Sequence, residues 1–406
     1  MGLMENMKKR ILFVTATLEI GGVQSILSNL SMELQQKYDI TILLNDTEKI
    51  QYPYGGRILS LGLKQQDNRS GLKYQMKVFF KRYKKLKELK RSGNFDYCIS
   101  MLDSANIANI LTGNKECKVV TTVYTNLSAE KYEKAYRYIV IPLVKGLYNK
   151  SDRIIVTSRG VQQDLETNYG LLAERMTVIY DGVNIGELKK QLEQMDKAYC
   201  VADRALITSL GRLNYAKAQW HLIRAMKKVI KEVDDALLLI MGTGELESRL
   251  KKLVVECGLQ KHVVICGYTP NPFYYIGESQ AFVLSSIVEG YPTVLLEAMV
   301  CGTPCVCTDF ASGGREILAP ETDIDIRQKD CIEYARYGII TPVCDGKWRD
   351  GSEPLTKEEE LLADAIIELV TNEELQKAYR EKIEGYADSF SIENCAREWK
   401  KVLEAL

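Results

Sequence analysis

Short runs that are apolar on successive residues rather than alternating recur along the whole chain, and this recurrence constrains its fold more than any other feature. In the first half they fall at Arg10–Ala16, Asp39–Leu44, Phe95–Met101, Lys118–Tyr124, Arg153–Thr157 and Met176–Tyr180. In the second half they fall at Ala205–Gly211, Ala236–Met241, His262–Gly267, Ala281–Ser285 and Pro304–Thr308. A strand covered on both faces reads as a continuous apolar run, whereas a half-exposed one alternates. Helix-like segments separate many of the runs, which is the pattern of parallel sheets with crossover helices. Two such series in 406 residues predict an α/β protein of two doubly wound, Rossmann-like domains. We expect a first domain over 1–197, a second over 203–388, and a polar hinge near Asp196–Arg204. The stretch Pro320–Pro354 reads as an elaborated loop region. The tail, 391–406, reads as a helix with Ala396, Trp399, Val402 and Leu403 on one side; with no strand after it, it is expected to pack back on the first domain. Ligands of such folds bind at the carboxyl ends of the strands, so a cleft between the domains is the expected site.

Charge and cysteine content exclude several classes of function. Lysine plus arginine and aspartate plus glutamate both number 54, which argues against a general nucleic-acid binder. The balance hides an asymmetry: residues 1–200 carry 30 basic and 21 acidic residues, and the remainder 24 and 33. The 11 cysteines are odd in number and form no CxxC pair, and only His221 and His262 could join them in binding a metal. Neither a disulfide framework nor a zinc site is expected, and a reducing cytoplasm fits best. Cys301, Cys305 and Cys307 lie in apolar sequence and read as buried packing. No apolar run precedes Ile11, so no secretory leader is expected, and no run approaches the length of a membrane span.

Three loops carry chemistry. In SSIVEGYPTVLLEAMVCGTP, Pro292 suits the first turn of a helix running to about Val300 and stopping at Gly302. Unpaired N–H groups near Thr293 and Val294 would attract phosphate or sugar oxygens. Glu289 stands before this helix and Glu297 within it, placed to meet two ends of one ligand. A second loop, Gly211-Arg212-Leu213-Asn214-Tyr215-Ala216-Lys217, sets two cations at a strand's carboxyl end, where arginine can grip a diphosphate and lysine adds a point charge. The third, Glu19-Ile20-Gly21-Gly22-Val23, lets backbone approach a ligand closely. Neither it nor Gly242-Thr243-Gly244 meets the dinucleotide fingerprint GxGxxG, which disfavours a nicotinamide oxidoreductase.

The stretch EGYPTVLLEAMVCGTP, with its two glutamates eight positions apart, resembles the signature of family-four retaining glycosyltransferases of the GT-B fold. GRLNYAK resembles the family's phosphate-binding arginine and lysine, GGVQ its first-domain glycine loop, and VIYDGVN the segment before its interdomain linker. The resemblance implies roles for Arg212 and Lys217 on the diphosphate of a departing nucleotide, for Glu297 on the ribose hydroxyls, and for Glu289 on the donor sugar. It also implies backbone donors at Gly21, Gly22, Gly290, Thr293 and Val294, a base near Gly267 and Tyr268, and no metal or other cofactor. The implied reaction moves a hexose or N-acetylhexosamine from a nucleotide-diphosphate sugar, UDP-linked, to a saccharide or lipid-linked saccharide, as in bacterial capsule or O-antigen assembly. One departure stands out. Many relatives place a histidine after a first-domain strand, where this chain reads Thr122-Val123-Tyr124-Thr125-Asn126. A non-catalytic partner with a nucleotide-sugar pocket, or a nucleotide-sugar epimerase of the same architecture, therefore remains open. Asp323-Ile324-Asp325 lies outside the context in which a DxD motif binds metal.

Residues 73–91, KYQMKVFFKRYKKLKELKR, hold nine cations against Glu88, with Met76, Phe79, Phe80, Tyr83, Leu86 and Leu89 at helical spacing. Two readings are open: a surface helix with solvated lysines, and peripheral contact with an anionic membrane at the inner face of the cell membrane.

Overall fold

The computed structural model describes residues 8–63, 72–93, 95–113, 115–129, 134–196, 198–199, 201 and 204–406. The chain divides into two compact units, 1–182 with 392–406, and 183–391. In the first, strands β1 (Arg10–Val14), β2 (Asp39–Leu44), β3 (Arg57–Ser60), β4 (Tyr97–Met101), β5 (Lys118–Val123), β6 (Arg153–Val156) and β7 (Met176–Val178) form one parallel sheet of order β3-β2-β1-β4-β5-β6-β7. Helices α1 (Gly22–Leu34), α2 (Leu72–Arg91), α3 (Asp103–Leu111), α4 (Lys134–Leu147) and α5 (Arg159–Tyr169) belong to the same unit. The central strand β4 is buried at every position, as its apolar run requires. β3 is the sheet's edge and lies exposed at both ends, so its sequence carries no such run.

The second unit repeats the plan. It contains α6 (Ile185–Leu192), β8 (Leu206–Leu210), α7 (Gln219–Glu232), β9 (Leu237–Met241), α8 (Glu247–Glu256), β10 (Val263–Gly267), α9 (Pro272–Glu278), β11 (Ala281–Leu284), α10 (Thr293–Val300) and β12 (Cys305–Thr308). After these come α11 (Gly314–Leu318), β13 (Glu333–Ala335), β14 (Gly338–Thr341), α12 (Lys357–Thr371) and α13 (Glu373–Ile383). The strand order is β10-β9-β8-β11-β12-β14-β13. Among the parallel strands of each sheet the order reverses between β1 and β4 and between β8 and β11. These are the topological switch points, where the loops at the strands' carboxyl ends part.

Two expectations are corrected. The first boundary lies at Gly182/Val183, not at 197. The segment after Gly182 packs with the second unit because α6 lies against α9 and α10, and the Tyr199 hydroxyl donates to Cys266 O (3.0 Å) while its N–H meets the Tyr275 hydroxyl (3.1 Å). Of the expected hinge, Lys197, Cys200, Ala202 and Asp203 fall outside the described residues. The region 320–354 is not all loop: it supplies β14, wholly buried and parallel to β12, and the antiparallel edge β13. Strands of three and four residues are too short to show a period. The last helix, α14 (Ile392–Glu404), belongs to the first unit, where Ala396, Trp399 and Leu403 are buried and the helix packs on α1. Cys301, Cys305 and Cys307 are free and buried.

Candidate active site

The two chemistry-bearing loops of the second unit leave β8 and β11, the neighbours that flank its switch point. The Arg212 loop is seated on the carboxyl end of β9. Gly211 N–H donates to Met241 O (3.0 Å) and Leu213 N–H to Thr243 O (2.9 Å). That seating explains Gly242-Thr243-Gly244. A Cβ at Gly242 would stand 2.0 Å from Gly211 O, and one at Gly244 2.2 Å from Leu213 O, so only glycine lets the backbones meet. Within the loop, Asn214 Oδ1 accepts Lys217 N–H (3.2 Å) and Gln219 Nε2 donates to Arg212 O (3.0 Å). These contacts fix the loop from inside and leave the Arg212 side chain exposed, with no hydrogen bond or ion pair among the described residues.

The loop after β11 locks onto this one. Ile287 N–H donates to Ala216 O (2.8 Å), and Ser285 Oγ to Lys217 O (3.1 Å). The result is an ion pair: Lys217 Nζ lies 2.6 Å from Glu289 Oε1, their side chains 17% and 15% exposed. Ser286 Oγ donates to the same carboxylate oxygen (2.7 Å), and Ser312 Oγ to Glu289 O (2.7 Å). Gly313 (φ 84°) closes the far wall, because a Cβ there would lie 2.6 Å from Gly290 O. Ser286, Ser312 and Gly313 thus aim Glu289, and none of them stands out in the sequence, where small polar residues are common in loops.

Pro292 precedes α10, and Gly302 (φ 75°) follows its end. The expectation that both Thr293 and Val294 offer free N–H groups is half corrected: Thr293 N–H already donates to Tyr291 O (3.0 Å), in a tight turn, while Val294 N–H has no acceptor among the described residues. Glu297 is half-buried on the same helix. Burial pushes its carboxyl up to about 7, against an opposing pull from Lys217. Tyr268, just past β10, is 63% exposed. The loops after β8 and β11 thus bring Lys217 and Glu289 together, with Arg212 exposed on the same loop as Lys217 and Glu297 on the helix that follows Glu289.

In the first unit, Gly21 and Gly22 stand at the start of α1, after β1. Gly22 is exposed and a Cβ there would meet nothing, so packing does not demand glycine. Across that sheet's switch point, Leu102 follows β4 with φ 71° and ψ 152° and is 42% exposed, a conformation that a side-chain-bearing residue rarely adopts. Sequence reading missed it, because backbone strain leaves no mark in a leucine. Where relatives would place histidine, Tyr124 lies partly buried, its hydroxyl pushed well up by burial and by the neighbouring Asp181. Asn126 is buried and accepts Ala129 N–H (3.0 Å). Neither histidine substitutes: His221 is buried in α7 against Glu359 (2.7 Å), and His262 bonds Ala236 O (3.0 Å). Among the described residues no cluster of three or more metal-ligating side chains occurs.

Comparison with known proteins agrees with this geometry. Residues 20–187 match the model of Glycosyltransferase Family 4, and residues 191–325 that of Glycosyl transferases group 1. The chain is 32% identical over 353 residues to an uncharacterized glycosyltransferase of Methanocaldococcus jannaschii, covering 84% of this chain and 86% of that protein. It is 25% identical over 394 residues to the N-acetylgalactosamine-N,N'-diacetylbacillosaminyl-diphospho-undecaprenol 4-alpha-N-acetylgalactosaminyltransferase of Campylobacter jejuni, covering 94% and 96%. An Anabaena protein crystallised with UDP shares the fold at 16% identity, with a TM-score of 0.72 over 98% of this chain and 100% of that one. With two parallel doubly wound sheets, the glutamate pair at one switch point and a relative of this identity over most of its length, the chain belongs to the family-four glycosyltransferases of the GT-B fold.

Proposed function

We propose that this protein is a retaining transferase that moves a hexose or N-acetylhexosamine from a UDP-sugar to a saccharide or lipid-linked saccharide, without a metal ion. The observation that carries the reading is the Lys217–Glu289 pair, locked by Ser286 beside the unpaired Arg212. Departure of a nucleoside diphosphate builds negative charge, and fixed cations with a helix start stabilise it without reorganising. Arg212 and Lys217 are assigned to the diphosphate, with Val294 N–H as a further donor. Glu289, held by its lysine, accepts hydroxyls of the donor sugar, and Glu297 those of the ribose. Tyr268 lies near the base. In the first unit, Gly21 and Gly22 leave room for a ligand to approach the backbone. As the bond from the sugar carbon to the diphosphate breaks, the acceptor oxygen bonds to that carbon from the same face, and its proton passes to the departing phosphate oxygen. The Campylobacter relative's name specifies a diphospho-undecaprenol acceptor, which supports a lipid-linked acceptor, a role in surface-polysaccharide assembly, and work at the inner face of the membrane.

Calorimetric titration with UDP, GDP, ADP and NAD in EDTA tests the donor side. Binding of UDP alone, lost in Arg212→Ala, is expected. Should no nucleotide bind the folded protein, the assignment of Arg212 and Lys217 to a donor diphosphate would fall. Retention is read from the anomeric configuration of the product glycoside.

A further inference from the structure

Helix α2 sorts the residues of the basic stretch onto two faces. Lys73, Met76, Lys77, Phe80, Lys81, Lys84, Glu88 and Arg91 are exposed and lie within an arc of roughly 140° on the helix. Val78, Arg82, Leu86 and Lys90 are buried on the opposite side. Two of the nine cations are therefore not solvated at all. The Arg82 guanidinium donates to Ser104 Oγ and Asn45 Oδ1 (both 2.8 Å), and burial holds it down at about 10. Lys90 Nζ donates to Asn109 O (2.8 Å) and Oδ1 (2.6 Å). These bonds fix the rotation of α2 about its axis, so its outer face is held in one orientation.

On that face Met76 and Phe80, 50% and 54% exposed, stand one turn apart. Lys73, Lys77, Lys81 and Lys84 line one side of them on the same face. A solvated surface helix gains nothing from an exposed phenylalanine and methionine side by side. The pair is too small to hold a second copy of the chain, which would need on the order of 1,000 Å² and would bring like charges together. A phosphate-bearing bilayer meets both demands, with headgroups for the lysines and acyl chains for the two apolar tips. The neighbouring α4 adds to it. Phe79 packs in the same hydrophobic cluster as Val140 and Val144, and α4 exposes Tyr138 and Ile139 at 74% and 49%.

We propose that the outer face of α2 is a docking surface for an anionic lipid bilayer, in which Met76 and Phe80 enter the interface and Lys73, Lys77, Lys81 and Lys84 pair with headgroups. This deepens the lipid-linked-acceptor reading, since it sets the protein where such an acceptor lies. The test is flotation of the full-length protein with vesicles of phosphatidylcholine, alone or mixed with phosphatidylglycerol. Binding to the mixed vesicles only is expected. Reversing the four lysines to glutamate should weaken it at least about 100-fold, and Phe80→Ser with Met76→Ser about tenfold. All six positions are exposed, so the variants should fold, which circular dichroism checks. Wild-type protein that ignores anionic vesicles, or a lysine variant that binds as wild type does, would overturn the proposal. So would tight binding to single-stranded RNA with the Ser variants as lipid-competent as the parent, which would mark a general polyanion site. UDP titration keeps the two readings apart: a parent protein that ignores anionic vesicles but binds UDP overturns docking alone, and one that binds the vesicles but no UDP overturns the donor site alone.

Discussion

At the residue scale the site turns on a few fixed charges. Lys217 carries the shortest of these contacts, and its replacement leaves Glu289 withdrawn from water without its cation. Lys217→Ala should lower kcat/KM by roughly 30- to 100-fold, the measure of about 2–3 kcal/mol for a charge-assisted contact, as read in initial-rate assays. Glu297 makes the site pH-sensitive. Its folded-state pKa is raised to about 7 from an ordinary 4.5. The stability it contributes is thus fully present below 4.5 and lost as pH rises through 7. In Glu297→Gln, the fall in thermal midpoint between pH 5 and 8 should flatten. If the ionised carboxylate is the form that accepts the ribose hydroxyls, UDP affinity should also rise through pH 7 in the parent and not in the variant. Leu102 is the third residue of interest, its strained backbone held where its carbonyl accepts both Ala105 N–H and Asn106 N–H (3.0 Å each). Strain of this kind costs about 1–3 kcal/mol, and glycine would relieve it at the expense of chain entropy. Leu102→Gly should stabilise the first unit by about 1 kcal/mol in urea titration and lower turnover if the exposed leucine guides an acceptor.

At the scale of elements, two attachments join distant parts of the sequence. One is α14, whose Trp399 is 2% exposed in the core beside α1. Trp399→Ala should destabilise the first unit by about 3–5 kcal/mol, read by urea unfolding, while the second unit's core is untouched. The other is the segment over α7. Arg224 reaches Pro354 O (2.6 Å), Lys227 reaches Gly351 O (2.6 Å), and Trp220 Nε1 donates to Lys347 O (3.2 Å). Trp348 lies 5.5 Å from Trp220 between ring centroids, with Arg249 over its outer face at 3.7 Å. A stretch that reads as loop is thus fixed in place by the helix that follows Lys217. Such a contact is illegible in sequence, because each partner looks like an ordinary surface residue.

At the scale of the whole molecule, each unit owns a closed core, so each can unfold on its own. Calorimetry should show two transitions. UDP at 100 times its Kd should raise only the second unit's, by the equivalent of about 2.7 kcal/mol. A shift confined to the first unit would place the nucleotide elsewhere than Arg212 and Lys217.

Two parallel sheets, their central strands and the loops that carry Glu289, Glu297, Arg212 and Lys217 are all written in local sequence. Each depends on a short-range pattern: apolar runs that must be covered twice, a proline that can start a helix, glycines where the chain must turn. What the fold alone decides depends on contacts between segments far apart in the chain. It moved the unit boundary to Gly182, because α6 finds its partners in α9 and α10. It drew β13 and β14 from a stretch without periodicity. It buried Arg82 and Lys90 of a helix that reads as uniformly basic, leaving Met76 and Phe80 outside. Charge and hydropathy are properties of a residue, whereas burial depends on what the rest of the chain brings against it.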